Sequence, residues 1–273
     1  IDANITSFYT PATWGYNMFF YLAASNDCHP TYVSDLMKKK TLSVKQINEL
    51  LGRLQGDKKL LYDKKYMEQL YLEYQENDID DTLDVQALKE LFGSRKLLLL
   101  GTGDSVTEQE ELLKNFINEN NPIVISMNYI PDNISPDMIF LSNSKKYVQI
   151  ASKLSRHQGE YKIIATSNVT KTSGEFDYTV RYKDVLDTEE NAIPDVAFAV
   201  LLKTMEKVGV KEVYLGGIDG FNETHNGIYL DDEEHCDYGI KHTDELNEYV
   251  NHMMQRMNKT IKLNLLTKSI YTL

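Results

Sequence analysis

Short apolar runs alternate with amphipathic stretches along the last two thirds of the chain. The runs have the length of buried strands, and the stretches between them carry apolar residues at the spacing of one helix face. This pattern is typical of a mostly parallel sheet with helices on both faces, and it predicts an α/β fold of Rossmann-like type. The predicted strands span 96–100, 123–127, 138–141, 163–166, 212–217 and 261–266, and the predicted helices span 107–119, 144–156, 191–208 and 243–257.

The first third of the chain shows helical spacing of its apolar positions and no convincing strand pattern. An aromatic-rich stretch over 14–22 follows Pro11, which suits a helix start. The stretch 76–82 is acidic and polar, and it is predicted to be a linker. We therefore divide the chain into a small all-helical segment over 1–82 and an α/β domain over 83–273, which a short helix near 83–92 begins.

The formal net charge of −12 changes this picture by excluding some partners. An acidic surface repels nucleic-acid phosphates and anionic lipid, so neither is an expected partner. No run approaches the roughly 20 apolar residues of a membrane span. The two cysteines, Cys28 and Cys236, have no CxxC spacing and indicate a reducing compartment, so a cytoplasmic location is expected. Because the chain starts at Ile1 and not at Met, we expect it to be a fragment of a longer polypeptide.

Glycines and polar residues follow the predicted strands, at the edge where parallel α/β sheets bind their ligands. Asparagine amides can contact a base or a ribose, and glycines let a phosphate approach backbone N–H groups, so these strand ends together predict a nucleotide site. Each residue has an ordinary alternative, since Gly-x-Gly is a common tight turn, asparagine is a common turn residue and a carboxylate can cap a turn. The candidate ligand-binding residues are Gly101, Thr102, Gly103, Ser105, Asn128, Asn143, Asn168 and Asp219.

A long polar loop over 219–242 contains three of the six histidines of the chain. A metal site in this loop would use His225, His235 and Cys236, but their spacing matches no standard zinc pattern, and no metal is predicted. An acid–base role would place one histidine beside a bound anion, since imidazole titrates near neutral pH. A solvated acidic loop without chemistry is equally consistent with the composition.

The first 75 residues resemble the segment that follows the barrel in some proteins of the HMG-CoA lyase and 4-hydroxy-2-oxovalerate aldolase superfamily. The resemblance rests on Trp14-Gly-Tyr-Asn-Met-Phe-Phe-Tyr-Leu, on His29-Pro-Thr-Tyr and on Thr41-Leu-Ser-Val-Lys-Gln-Ile-Asn. Those enzymes hold a divalent metal with an Asp and a His-x-His pair, and this chain contains no His-x-His. The resemblance implies an aldolase-type (lyase) parent protein, whose missing N-terminal TIM barrel would be a partner of this chain. A face left uncovered by that barrel would favour self-association, so a homo-oligomer is a further hypothesis.

Residues 96–273 resemble bacterial sialyltransferases of the lipooligosaccharide type and the related 6-hydroxymethylpterin diphosphokinase-like family. The segment Gly101-Thr-Gly-Asp-Ser-Val looks like the family's G-N-G-P-S-L, and Gly209-Val-Lys-Glu-Val-Tyr-Leu-Gly-Gly-Ile-Asp looks like G-Y-K-E-I-Y-L-S-G-I-D. The strands that end in Asn128 and Asn143 are similar to strands whose last Asn contacts the nucleotide, and the strand before Asn168 has a counterpart too. The resemblance implies a nucleotide or nucleotide-sugar of the CMP type as the ligand, with no cofactor required.

The same resemblance implies two catalytic residues. Asn226-Gly-Ile-Tyr looks like a loop whose tyrosine holds the donor phosphate, which gives that role to Tyr229. His242 lies near the position of the family's catalytic histidine, with His235 as the alternative counterpart. The histidine would deprotonate the acceptor hydroxyl during direct displacement at the anomeric carbon. The chain departs from the family at Thr102, where the family has Asn, and at Asp104, where it has Pro.

Three functional hypotheses stay open. The first is glycosyl transfer from a nucleotide-sugar. The second is a non-catalytic ligand-sensing or docking module that serves the missing barrel, and it is favoured by Asp104 and by the lack of a cation before the long helix. The third is Mg²⁺-dependent pyrophosphoryl transfer, for which the available carboxylates are Asp104, Asp219, Asp231 and Asp232.

Overall fold

The computed structural model describes residues 78–142, 147, 159–169, 176–189, 192–193, 196–221 and 243–273. Most of the predicted helical segment 1–82 lies outside these residues, as does the predicted helix 144–156 apart from Tyr147. The elements are α1 (Thr82–Phe92), β1 (Leu97–Leu100), α2 (Ser105–Glu108), α3 (Glu110–Asn120), β2 (Ile123–Met127), β3 (Met138–Leu141), β4 (Lys162–Thr166), β5 (Tyr178–Val180), a 3₁₀ turn (Tyr182–Val185), α4 (Ala197–Val208), β6 (Glu212–Gly216), α5 (Thr243–Met257) and β7 (Lys262–Leu265). No helix within these ranges combines the length and the apolar character that a membrane crossing requires.

The seven strands form one parallel sheet in the order β5-β4-β3-β2-β1-β6-β7. Helices α2 and α3 lie between β1 and β2, α4 lies between β5 and β6, and α5 lies between β6 and β7. This arrangement confirms the predicted α/β fold of Rossmann-like type. The chain builds the sheet outwards from β1 to β5 and then returns to add β6 and β7 on the other side of β1. The connection from β1 to β2 and the connection from β5 to β6 therefore run in opposite directions across the sheet.

The four leucines of β1 show how the sequence produces two apolar layers. Successive side chains of a strand point to opposite faces, so a central strand covered on both sides needs a continuous apolar run. Leu97 and Leu99 pack into the larger layer, together with apolar residues of α1, α4 and α5. Leu98 and Leu100 pack into the smaller layer, against Leu113 of α3. All four leucines are buried, so β1 is the centre of the core.

Three elements differ from the sequence prediction. β5 was missed, because three residues are too few to show a period. The predicted helix 107–119 is broken at Gln109 into α2 and α3. The predicted helix 191–208 begins instead at Ala197, since Ala192, Ile193 and Val196 are not helical. Ile193 precedes Pro194, and the residue before a proline is disfavoured from helical conformation.

Aspartates at the start of α1 protect the free edge of β5. The Oδ2 atom of Asp84 accepts a hydrogen bond of 2.9 Å from the Thr179 backbone N–H. The Oδ2 atom of Asp81 accepts one of 2.7 Å from the Arg181 N–H. An edge strand with unpaired N–H groups is a template for unwanted strand pairing, and here carboxylates satisfy those groups. Asp81 belongs to the predicted helical segment, so this contact ties its last residues to the sheet, while the predicted boundary at 82/83 stays a prediction.

Replacing Asp84 with alanine is expected to lower the free energy of unfolding by about 1–2 kcal/mol, because the edge amide loses a charged acceptor. Chemical denaturation of the purified protein measures this change. Glu90→Ala is the control, since Glu90 lies on the same helix and bonds only to Gln86 in the described part of the chain. A Glu90→Ala effect as large as that of Asp84→Ala would show that helix composition, and not the edge contact, is responsible.

Candidate functional site

The crevice between the carboxyl ends of β1 and β6 is the candidate functional site. Such a crevice forms where neighbouring strands of an open parallel sheet are followed by connections that leave to opposite faces. Here α3, which follows β1, packs on the smaller layer, whereas α5, which follows β6, packs on the larger one. We call this place the switch-point crevice and define it by Gly101, Thr102, Gly103, Ser105 and Asp219.

Glycines at the ends of β1 and β6 meet where there is no room for a side chain. The Gly101 N–H donates to the Gly216 carbonyl at 2.8 Å, and the Gly103 N–H donates to the Gly217 carbonyl at 2.9 Å. A Cβ atom on Gly101 would lie 2.4 Å from the carbonyl oxygen of Gly217. Gly217 has a φ of 71°, in the left-handed region that glycine adopts at little cost. The sequence therefore needs glycine on both strand ends to form the floor of the crevice.

Asp219 fills the space that the missing side chain of Gly103 leaves. A Cβ atom on Gly103 would lie 2.4 Å from Asp219 Cγ. Asp219 Oδ2 accepts a 2.8 Å hydrogen bond from the Ser105 backbone N–H, and Oδ1 accepts a short one from the Ser105 hydroxyl. The carboxylate thus takes the Ser105 N–H, a backbone donor of the kind that a phosphate uses at a glycine-rich loop. A second negative charge about 4 Å away would cost roughly 4 kcal/mol at an effective dielectric constant of 20.

The segment after β7 holds Asp219 in this position. The Gly217 N–H donates to Thr267 Oγ1 at 2.9 Å, and Thr267 Oγ1 lies 2.8 Å from Ser105 Oγ. An ionised carboxylate only accepts, so Ser105 donates its single hydroxyl hydrogen to Asp219, and Thr267 must donate to Ser105. The Ile270 N–H donates to the Asp219 backbone carbonyl at 3.0 Å. The Asp219 backbone is therefore held by Ile270, and its side chain is held by Ser105, which Thr267 supports.

Partial burial raises the pKa of Asp219 above its ordinary value, even though both hydrogen bonds from Ser105 act to lower it. Nearby charges act in both directions, since Lys268 lowers this pKa and Asp104 raises it. Ser105 is buried and Asp219 is partly exposed, so the carboxylate is fixed by a buried partner while part of the residue stays accessible. The site can thus present one oriented negative group at the mouth of the crevice.

Replacing Ser105 with alanine is expected to raise the pKa of Asp219 further, because the carboxylate loses a hydrogen bond that stabilises its charged form. The measurement is an NMR titration of the Asp219 side-chain carbon. Thr107→Ala is the control, because Thr107 is an exposed residue of the same short helix. A pKa that falls or stays unchanged in Ser105→Ala would mean that the hydroxyl does not donate to Asp219.

The predicted amides Asn128 and Asn168 form a second cluster, at the ends of β2, β3 and β4. Asn128 Oδ1 accepts from the Ser142 N–H at 3.0 Å, and Asn168 Nδ2 donates to the Ser142 carbonyl at 3.2 Å. Asn128 adopts a φ of 61°, a left-handed conformation that asparagine tolerates better than most residues. Both amides are buried, so they tie the three strand ends together from within. Tyr129 links this cluster to the crevice, since its hydroxyl donates to the Gly101 carbonyl at 2.6 Å.

The structure therefore brings five of the eight predicted ligand-binding residues to one crevice and two more to the neighbouring cluster. Asn143, Tyr229 and His242 lie outside the described residues. Sequence reasoning missed Thr267, Ser142 and Tyr129. The rule that residues after a strand line the ligand-binding edge would have found Thr267, since it closely follows β7. Nothing in the sequence pairs Ser142 with two distant amides.

Carboxylates, histidines and cysteines do not form a group of three that could hold a metal ion anywhere in the described ranges. The candidate ligands His225, His235 and Cys236 lie outside those ranges, as do Asp231 and Asp232. The residues described at the crevice therefore offer hydrogen-bond acceptors and donors from the protein itself, and Asp219 is the charged group that they orient.

A second cleft, of about 520 Å³, lies at the start of α1. Lys207 in this cleft pairs with Asp81 at 2.5 Å and with Asp184 at 2.7 Å. Arg181 pairs with Asp78 at 2.6 Å. Both cations have carboxylate partners, and the hydrogen bond from Lys207 lowers the pKa of Asp184. These ion pairs join α1 and α4 to the edge of the sheet.

No protein-family model matches the chain, and no curated protein matches it. The resemblances to sialyltransferases and to aldolase-type proteins therefore stay predictions.

Proposed function

We propose that the α/β unit binds a nucleotide or a nucleotide-sugar in the switch-point crevice and transfers the glycosyl group of that ligand. One observation carries the proposal: the predicted loop with Gly101, Gly103 and Ser105 lies directly opposite Asp219 at the reversal of strand order. This is the location at which open parallel sheets bind nucleotides. The glycines have no side chains that would cover the backbone there, and Asp219 supplies an oriented polar group.

The catalytic part of the proposal rests on residues outside the described ranges. His242 would deprotonate the acceptor hydroxyl, and Tyr229 would support the leaving phosphate. Position 242 directly precedes Thr243, the first residue of α5. Since α5 is packed on the sheet through six buried side chains, it gives the histidine a rigid neighbour.

The segment 1–82 is assigned to the post-barrel part of an aldolase-type parent, whose own active site is not in this chain.

Thermal unfolding of the full chain with CMP, CDP, UDP, GDP and ATP, each with and without Mg²⁺, tests the proposal. A ligand that binds only the folded state stabilises it by about 2.7 kcal/mol at one hundred times its dissociation constant. We expect a shift with CMP that does not need Mg²⁺. A shift that requires ATP together with Mg²⁺ would favour pyrophosphoryl transfer instead. No shift with any nucleotide would contradict the proposal.

A bulky side chain in the crevice tests whether the nucleotide binds there. Thr102→Trp places an indole between the two glycines, and it is expected to remove the CMP shift. Thr107→Trp adds the same side chain at an exposed position of α2 and is expected to keep the shift. Loss of the shift in neither variant would show that the ligand binds elsewhere, and loss in both would show that the effect is not specific to the crevice.

A non-catalytic docking module is the second candidate, and the hydrogen bonds among the polar residues at the strand ends favour it. Asn128 and Asn168 bond to Ser142, and Asp219 bonds to Ser105. Polar groups that are satisfied within the protein gain less from a ligand than unsatisfied ones do. If the nucleotide panel gives no shift, this candidate replaces the first, and the missing barrel becomes the expected partner.

A further inference from the structure

The orientation of Asp219 determines which part of a ligand can enter the switch-point crevice, and this inference rests on the proposed function. Asp219 fills the cradle above Gly103, where a Cβ atom would lie 2.5 Å from Oδ1 and 2.7 Å from Oδ2. The carboxylate also takes both donors of Ser105, its backbone N–H and its hydroxyl. A phosphate at this loop would therefore find both donors of Ser105 already used.

The charges around Asp219 oppose a second anion. Asp104 is close enough to raise the pKa of Asp219, and Lys268 is close enough to lower it. Lys268 is itself paired with Glu108, which offsets its positive charge. The described groups of the crevice thus sum to a negative charge, and a phosphate would meet repulsion without a free cation beside it.

A carboxylate still has acceptor capacity after two hydrogen bonds. Its two oxygens offer about four acceptor directions, and Ser105 takes one on each oxygen. Thr267 fixes the direction of the Ser105 hydroxyl bond, so this arrangement does not reverse to offer a donor. A group that approaches the partly exposed side of Asp219 therefore meets oriented acceptors and must bring a hydrogen atom.

We propose that Asp219 is a specificity-determining residue that accepts a hydrogen bond from a neutral donor of the nucleoside, and that it keeps the phosphate out of the glycine loop. The donor is either a ribose hydroxyl or an exocyclic amine of the base. The nucleoside end of the ligand then lies over Gly103, and the phosphate lies away from α2. This orientation reverses the one in which a glycine-rich loop holds the phosphate.

The test measures nucleotide affinity by calorimetry on the full chain and on Asp219→Asn. The probes are AMP, CMP, GMP and UMP, their 2′-deoxy and 3′-deoxy counterparts, and inosine monophosphate, which carries a carbonyl where AMP has an amine. Glu90→Gln is the matched control, because it removes one negative charge from an exposed position of α1 and leaves Ser105 and the Lys268–Glu108 pair unchanged. It is expected to change affinity less than threefold.

Under the proposal, Asp219→Asn weakens nucleotide binding by about tenfold or more, since an ionised acceptor binds a donor more strongly than an amide does. In the unchanged chain, one analogue loses a similar factor: a deoxy compound if the donor is the ribose, or inosine monophosphate or UMP if it is the amine. That loss disappears in Asp219→Asn. The analogue series needs no variant, so it stays informative if Asp219→Asn does not fold.

The direction in which Asp219→Asn changes nucleotide affinity distinguishes a neutral donor beside Asp219 from a phosphate. If a phosphate lay beside Asp219, removal of the negative charge would tighten binding, and tighter or unchanged binding in Asp219→Asn overturns the inference while nucleotide binding itself stands. If none of the nucleotides binds the unchanged chain, the proposed function fails and this inference fails with it.

Discussion

Gly217→Ala is expected to destabilise the protein by more than about 3 kcal/mol, because it combines backbone strain with a steric clash. Gly217 has a φ of 71°, which costs an L-residue roughly 1–2 kcal/mol. An added Cβ would also lie 2.4 Å from Cγ2 of Val106 and 2.6 Å from the Gly101 carbonyl oxygen. The carbonyl belongs to the backbone and cannot rotate away, so the ends of β1 and β6 would have to separate.

Two further glycines separate the steric effect from the strain. Gly101→Ala introduces the clash alone, with the Gly217 carbonyl oxygen at 2.4 Å, and is expected to cost about 2–3 kcal/mol. Gly209→Ala introduces the strain alone, because Gly209 has a φ of 88° and an added Cβ would meet no atom within 4 Å. It is expected to cost about 1 kcal/mol.

Urea denaturation of the three variants measures these differences. The expected order of destabilisation is Gly217→Ala, then Gly101→Ala, then Gly209→Ala. If Gly101→Ala were as mild as Gly209→Ala, the two strand ends would not be in close contact, and the crevice would be wider than described. Nucleotide binding is expected to be lost in the two crevice variants and kept in Gly209→Ala, if the proposed site is correct.

The central part of the sheet could be predicted because its strands are buried on both faces. Four consecutive leucines between helices predict a strand that is buried on both faces, as β1 is. β2 and β3 start and end as predicted. The edge strand β5 was harder to predict. β5 has three residues, of which only Val180 is buried, and its stability depends on carboxylates that precede it by about a hundred residues in the chain.

The candidate site could be predicted in its position but not in its internal contacts. A Gly-x-Gly after one strand and an aspartate after another both mark the ligand-binding edge. No local pattern shows that Asp219 turns back to fill the space above Gly103, or that Thr267 supports Ser105 from 162 residues away. These contacts depend on the strand order, which places β6 beside β1 although four strands, β2 to β5, lie between them along the chain.

A buried ion pair fixes the loop before α4 to α5. Asp187 accepts hydrogen bonds of 2.5 Å from Arg256 and 2.9 Å from the Tyr249 hydroxyl. The Asp187 side chain is 2% exposed, and that of Arg256 is 34% exposed. Burial alone would raise the pKa of Asp187, but the bonds from Arg256 and Tyr249 outweigh it, so this pKa lies below its ordinary value.

Asp187→Ala is expected to lower the free energy of unfolding by about 3 kcal/mol, the low end for breaking a buried pair, because Arg256 keeps some contact with water. The variant leaves the Tyr249 hydroxyl and the Arg256 guanidinium without their shared acceptor. Glu108→Ala is the matched control. It breaks the Lys268–Glu108 pair, in which both side chains are more than half exposed, and such pairs contribute about 0–1 kcal/mol.

The pH dependence of this difference gives an independent check. Since the folded-state pKa of Asp187 is lowered, its stabilising contribution is complete above the unfolded-state value of about 3.9 and is lost as the pH falls through the folded-state pKa. Denaturation curves at pH 7 and at successively lower pH should therefore show the gap between the unchanged chain and Asp187→Ala shrinking only below about pH 4. A gap that shrinks between pH 7 and pH 5 would instead assign the effect to a group that titrates at higher pH, and Asp187 would then not carry the charge that holds α5 in place.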